Sequence, residues 1–292
     1  MRARAPSTVV AGMLRQRIAT AVVLVLLLLA ALASSSAWPF ALLTLVLIAL
    51  AGWEWARLNQ AGAGLSWVLG GSIGLSGAAA LASGWRLDSL APLWWLVSAL
   101  WVVAGAVALG RGPASWPRLS RSARWALGLL ALWAAWLALA HARAIGINFL
   151  LSVLCLVWRA DVAAYFGGRA FGRRKLAPMI SPGKSWEGVW SGMAGVLMLG
   201  SVWVAIDGHF AVDVPSLFSL LRQRLGVGGT VLALLVLSGL SVVGDLIESL
   251  VKRAAGAKDS SRLLPGHGGV LDRVDALLPV LPAAMALASW AR

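Results

Sequence analysis

The sequence predicts an all-α, polytopic integral membrane protein with about nine transmembrane helices, and three observations carry that reading. Of its 292 residues, 60% are hydrophobic and only 12% are charged, with a mean hydropathy of +0.84, too poor in charge for a soluble domain of this length. The apolar residues gather in runs at Ile18–Ala33, Trp38–Gly52, Leu65–Gly84, Leu90–Gly110, Ala123–Ala140, Ile147–Gly167, Val189–Ile206, Gly228–Gly244 and Ala276–Trp290. A bilayer span needs about 20 residues, so the shorter runs must borrow from their flanks. The basic residues sit between the runs and alternate in density, as cytoplasmic and external loops do.

Taken in order, the first run follows a basic start and precedes small residues, in the manner of a secretory signal peptide. The second run begins almost at once at Trp38, which favours a retained first helix. Many of the seventeen tryptophans (Trp38, Trp53, Trp67, Trp85, Trp116, Trp186 and Trp290 among them) stand near the ends of runs, as in an interfacial belt. With the N-terminus cytoplasmic, nine spans place 20 of the 25 Lys and Arg on one side. Arg86, Arg143, Arg222, Arg224 and Arg292 remain outside. The split supports the span count and puts the two most polar loops, 159–187 and 245–275, on the cytoplasmic face.

The rest of the chain is plainer. The external stretch 207–227 has room for a short surface helix, and His141 and His209 fall on the external side, where solvated roles are expected. Cys155, the single cysteine, lies inside a run as a small apolar residue. No repeat and no separate soluble domain is visible. Residues 1–292 form one membrane domain, with 1–140 poor in motifs and 141–292 holding the catalytic half. The net charge of +14 is explained by the loops, so nucleic-acid binding is not expected.

Seven of the eleven acids lie in the two polar regions: Asp161, Glu187, Asp245, Glu248, Asp259, Asp272 and Asp275. Acids in or beside membrane helices are costly and mark functional candidates. Each could simply pair with a nearby base, but the spacing repeats. "GDLIESLVKR" sets Asp245 and Glu248 three apart on one helix face, and "LDRVD" does the same for Asp272 and Asp275. Glu248 and Lys252, four apart, can also form a helix pair. Oxygen ligands of this kind suit a hard divalent cation such as Mg²⁺, which keeps room for substrate phosphates. One candidate histidine and no cysteine cluster argue against zinc.

Beside the acids stands an anion-binding set. "ISPGKSWEG" offers Ser181 as N-cap, Pro182 at the first helical position, and Lys184 and Ser185 in the first turn of a phosphate-binding helix N-terminus. It is not a Walker A loop, since Pro178 stands where its first glycine should be. Lys252, Arg253, Lys258, Arg262 and Arg273 extend the basic surface, though anionic lipid head groups would also attract them. Acids for a metal and bases for phosphates at a membrane face imply phosphoryl or nucleotidyl transfer on a lipid.

The run "SLVKRAAGAKDSSRLLPGHGGVLDRVD", Ser249–Asp275, resembles the C-terminal motif of the phosphatidate cytidylyltransferases (CDP-diacylglycerol synthases). "GDLIES" and "DVAAYFGGRAFGRRKLAPMISPGKSWEG" resemble that family too, and "WEW" at Trp53–Trp55 weakly resembles its early acidic motif. Ser185 stands where threonine is expected and Ala163 where glycine is common; both departures are mild. The resemblance implies that CTP and phosphatidic acid give CDP-diacylglycerol and pyrophosphate at the inner membrane, with Mg²⁺ as cofactor and a second cation such as K⁺ left open. It also suggests a homodimer.

On that reading Asp245, Asp272 and Asp275 bind cation, with Asp161 and Glu248 as further candidates. Lys184, Ser185, Lys252, Arg253, Lys258 and Arg273 hold phosphates, joined by Ser181 and Glu187. His267 donates to phosphate or shapes its turn, and Gly268 and Gly269 admit a ligand or supply positive φ. Asp259 is a ligand or the partner of Lys258. A CTP-dependent kinase or cytidylyltransferase acting on a polyprenol or phytol-type lipid is the nearest rival. A transporter with a midplane ion site would need acids at mid-membrane in repeated helices, which the sequence does not show.

Overall fold

The computed structural model describes residues 20, 22–23, 25–83 and 90–290. Part of the first apolar run, together with Trp85 and Arg86, therefore lies outside the described residues. Residues 25–33 are helical (α1). Seven further helices are long and apolar enough to cross a membrane: α2 (Trp38–Leu58), α3 (Ala63–Ala82), α4 (Ala91–Arg111), α5 (Arg121–Ile145), α6 (Ile147–Phe171), α7 (Trp186–His209) and α8 (Leu217–Ala254). Two short helices, α9 (Leu271–Val274) and α10 (Leu277–Trp290), close the chain. A 3₁₀ turn at Pro113–Arg118 joins α4 to α5. Among the described residues the β-structure with more than an isolated bridge is one antiparallel hairpin, β1 (Lys175–Ala177) and β2 (Ser181–Ser185).

Each of the nine apolar runs thus corresponds to a helix, but the last behaves differently from a lipid-facing span. All but three of the fourteen residues of α10 are buried, packed among α4, α5, α6 and α8. At 1.5 Å per residue it reaches only about 21 Å, short of a hydrocarbon core of about 30 Å. An apolar helix sheathed by other helices needs neither length nor interfacial anchors. Its N-terminus, and the polar loop before it, is thereby held at one end of the bundle.

Close packing elsewhere depends on missing side chains. The ring of Trp55 on α2 occupies the space a β-carbon on Gly128 of α5 would fill, and its Nε1 donates to the Arg124 carbonyl at 2.8 Å. Asn59 ends α2, fully buried, with its Oδ1 accepting from Trp116 Nε1 at 2.8 Å and its carbonyl from Trp125 Nε1 at 3.0 Å. Trp116 is therefore a buried clamp and not part of an exposed belt, whereas Trp38, Trp67 and Trp290 are exposed.

At the other end, the expected surface helix in 207–227 forms as the start of α8, set off by Gly226, whose φ of 65° breaks the helix. It is not a surface element. Leu217, Phe218 and Leu221 are buried, and Asp207 takes Ser216 Oγ at 2.5 Å and Ser219 Oγ at 2.6 Å. His141 is likewise buried beside Trp94 and not solvated, while His209 is exposed.

Candidate active site

The two polar loops meet at one end of the bundle. Between α6, α7, α8 and the hairpin lies a cavity of about 540 Å³, lined by Asp161, Ser181, Lys184, Ser185 and Asp245 together with Tyr165 and Arg169. Glycines on α7 let α6 come close: β-carbons on Gly188 and Gly192 would stand 2.9 Å from the carbonyls of Ala164 and Ala160. That approach sets Asp161 on α6 across from Lys184 on β2 and Asp245 on α8. Lys184 Nζ forms an ion pair with Asp245, and both act electrostatically on Asp161. Ser249 Oγ donates to Asp245 Oδ1 at 3.3 Å.

The helix start in this segment lies four residues later than the motif suggested. Ser181–Ser185 is a strand, and Ser185 is the N-cap of α7, its Oγ accepting from Gly188 N at 3.2 Å. Gly183 disfavours an earlier start, and pairing Lys175 with Ser185 and Ala177 with Ser181 uses the extended backbone. Lys184 is therefore presented from a strand edge just ahead of a helix N-terminus. Glu187, in the first turn, accepts from the backbone N–H groups of Arg173 at 3.0 Å and Arg174 at 3.2 Å and pairs with Arg174 Nε at 3.3 Å. It closes the turn that leads into the hairpin.

A second cluster backs the first. Lys252 Nζ lies 2.5 Å from Glu248 Oε2 and 2.6 Å from Asp272 Oδ1. Asp272 also accepts from Ser260 Oγ at 2.8 Å and Gly269 N at 2.8 Å. Burial pushes its carboxyl up, but the Lys252 ammonium, Glu248 and the Gly269 N–H outweigh that and hold it at about 2. Asp272 thus organises the glycine turn. Gly268 takes φ 82°, and Gly269 leaves no room for a β-carbon because Ser260 and Glu54 press against it. Arg273 reaches back to the His267 carbonyl, with Nη2 at 2.5 Å and Nε at 3.1 Å.

The residue that reasoning from sequence left out of the site is Glu54. Wholly buried on α2, it accepts from Ser261 Oγ at 2.5 Å, Leu271 N at 2.7 Å, Val270 N at 3.0 Å and Ser260 Oγ at 3.2 Å. The signal was present in "WEW", an acid inside an apolar run, which demands an internal partner. Asp275 connects the two clusters. Its carbonyl packs on Gly244, where a β-carbon would collide with it, and burial and then the neighbouring Asp245 push its carboxyl up to about 7.

The expected site residues therefore sort by position. Asp161, Ser181, Lys184, Ser185 and Asp245 share the cavity, with Asp275 beside it. Glu248, Lys252, Asp272, Arg273, His267, Gly268 and Gly269 build the wall and turn behind it. Arg253 braces the hairpin through the Ile180 carbonyl at 3.2 Å, and Lys258 and Asp259 are exposed, with no ion pair joining them.

Residues 15–290 match the profile of the cytidylyltransferase family. The chain belongs to that family. It is similar to the phosphatidate cytidylyltransferase of Pseudomonas aeruginosa, 39% identical over 291 residues that span 95% of this chain and 99% of the relative. It is also similar to enzymes of that name from Haemophilus influenzae, 49% identical over 47% of this chain and 44% of the relative, and Brucella suis, 50% identical over 46% and 44%.

For a cytidylyltransferase the cavity offers one ammonium and hard oxygen donors. Among the described residues no three His, Cys, Asp or Glu side chains converge into a closed metal cage. The donors that line the cavity, Asp161 and Asp245, with Asp275 acting electrostatically on Asp245 from behind, suit a cation that keeps waters and is completed by substrate phosphates, the usual habit of Mg²⁺.

Proposed function

We propose that this nucleotidyltransferase moves the cytidylyl group of CTP onto phosphatidic acid, giving CDP-diacylglycerol and pyrophosphate, at the cytoplasmic face of the inner membrane. The observation that carries the reading is the meeting of Asp161, Lys184 and Asp245 in one cavity at the end of the bundle where the basic loops gather. Its volume falls within the range of about 300–1,000 Å³ typical of small-molecule sites. Its wall is open to apolar neighbours such as Val189, Met193 and Val242, as a lipid substrate requires.

An oxygen of the lipid phosphate attacks the α-phosphorus of CTP. The new P–O bond forms as the bond from the α-phosphorus to the bridging oxygen breaks, and the electron pair leaves with pyrophosphate. The attacking phosphate is already ionised near neutral pH, so no strong base is needed. Lys184 supplies a compact positive charge to the nucleotide phosphates, and the N-terminus of α7 adds its dipole behind Ser185. Asp245, with Asp161 and Asp275, would hold Mg²⁺, which supplies charge against that developing on the phosphoryl oxygens. Lys252, Asp272 and Glu54 keep the wall in place without touching reactants.

The test is the purified chain with labelled CTP, dioleoyl phosphatidic acid and Mg²⁺, measuring pyrophosphate release. Release that depends on phosphatidic acid and stops on chelation is expected. Turnover with a free polyprenol or phytol and none with phosphatidic acid would transfer the assignment to a lipid kinase. Activity that survives chelation would remove the metal.

A further inference from the structure

Away from the proposed catalytic cavity, one buried cation, Arg124, has no polar partner for its side chain among the described residues. Arg124, in the first turn of α5, is 5% exposed, and its side chain has no hydrogen bond, ion pair or ring contact among the described residues, with Nε fully enclosed. Burying an isolated guanidinium is costly, and the positive end of a helix makes it more so. No acid occurs between residues 89 and 160, and residues 1–19 contain none. No carboxylate among the described residues pairs with Arg124, which leaves its charge open to an anion from outside the chain.

The neighbourhood says what kind of molecule brings it. Arg124 and Gly128 lie on the same face of α5, one turn apart, and Gly128 lines a second cavity of about 190 Å³ between α4 and α5. Its walls are apolar, including Leu100, Ala104, Ala108, Leu127 and Ala131, with Glu248 at the inner wall already paired to Lys252. Further exposed cations stand where α4 gives way to α5, the segment that also lends Trp116 to the cavity wall: Arg111 ends α4, Arg118 sits in the 3₁₀ turn and Arg121 starts α5. An apolar slot in a membrane protein with an unpaired arginine one turn from its wall, and exposed arginines on the connecting segment, is the complement of an anionic phospholipid.

We propose that this groove is an accessory binding site for an anionic phospholipid, an acyl chain lying between α4 and α5 and the phosphate held by Arg124 with Arg121. The site is separate from the catalytic cavity: α8 gives Gly244, Ile247 and Glu248 to the groove and Ser238, Val242 and Asp245 to the cavity. The proposal does not depend on which lipid the enzyme transforms, and its test reads binding, not turnover.

Native mass spectrometry of the full-length chain in detergent, titrated with dioleoyl phosphatidylglycerol or dioleoyl phosphatidylcholine, measures it. One phosphatidylglycerol should be retained in preference to phosphatidylcholine. Arg124→Gln should weaken that by about fivefold or more, the effect of one basic residue at an anionic surface. Ala104→Phe, which fills the groove from an exposed position, and Arg121→Gln at an exposed one keep the test decisive if Arg124→Gln does not fold. Lys184→Gln, in the catalytic cavity, should leave the adduct intact. Equal retention of phosphatidylcholine, undiminished binding in Ala104→Phe and Arg121→Gln, loss in Lys184→Gln, or displacement by inorganic phosphate would each overturn the proposal.

Discussion

Glu54 shows how one buried carboxylate can fix a loop far away in sequence. Four donors from residues 260–271 converge on it, and two of them, the N–H groups of Val270 and Leu271, belong to buried residues. A hydrogen bond to a charged group contributes about 1.5–3 kcal/mol, so Glu54→Gln, which keeps the shape and loses the charge, should cost at least that much. Thermal unfolding in detergent should register the loss, and hydrogen exchange should rise at Val270 and Leu271. Unchanged exchange there would mean the loop is held by other means. Asp272 lends itself to a titration instead. Its folded pKa of about 2 lies below the unfolded value of about 3.9, so the charged form contributes stability that is full above pH 4. That contribution, about 2 kcal/mol, is lost as the pH falls from about 4 toward 2. The stability gap between the natural chain and Asp272→Asn should therefore close over that interval; a gap constant with pH would show that Asp272 acts through shape alone.

At the scale of elements, hydropathy revealed most of the helices and the glycines revealed how they pack. The nine runs were readable because a membrane span is a long, one-signal pattern. The hairpin was not, since Lys175–Ala177 and Ser181–Ser185 are short, polar and without alternation, and "SPGKS" carries helix-start residues that a strand then uses. Nor could the interior position of α10 be read, because an apolar helix looks the same whether lipid or protein surrounds it. In the candidate site, Asp161, Lys184 and Asp245 were legible as chemistry, whereas the division between cavity and supporting wall depends on contacts across hundreds of residues. The α6–α7 seam carries the sharpest expectation here. A side chain larger than hydrogen at Gly192 meets the Ala160 carbonyl, and overpacking costs about 1–3 kcal/mol. Gly192→Val should force the helices apart, displace Asp161 and lower kcat more than it raises the KM for CTP. Normal turnover would mean the seam can yield without disturbing the cavity.

For the molecule as a whole, orientation and catalysis are one question. The nine-span reading assigns 20 of the 25 Lys and Arg to the side of the two polar loops, and residues of those loops line the cavity that is proposed to take CTP. The hairpin tip and the turn after α7 lie at opposite ends of α7, and each offers a probe: Met179 is 80% exposed and Phe210 is 68% exposed. With Cys155 replaced by serine, Met179→Cys and Phe210→Cys give single-cysteine chains. A membrane-impermeant maleimide added to intact cells should label Phe210→Cys at once and Met179→Cys only after the inner membrane is opened. The reverse pattern would put the cavity outside, where neither CTP nor the positive-inside rule could account for it, and the proposed reaction would fall with the orientation.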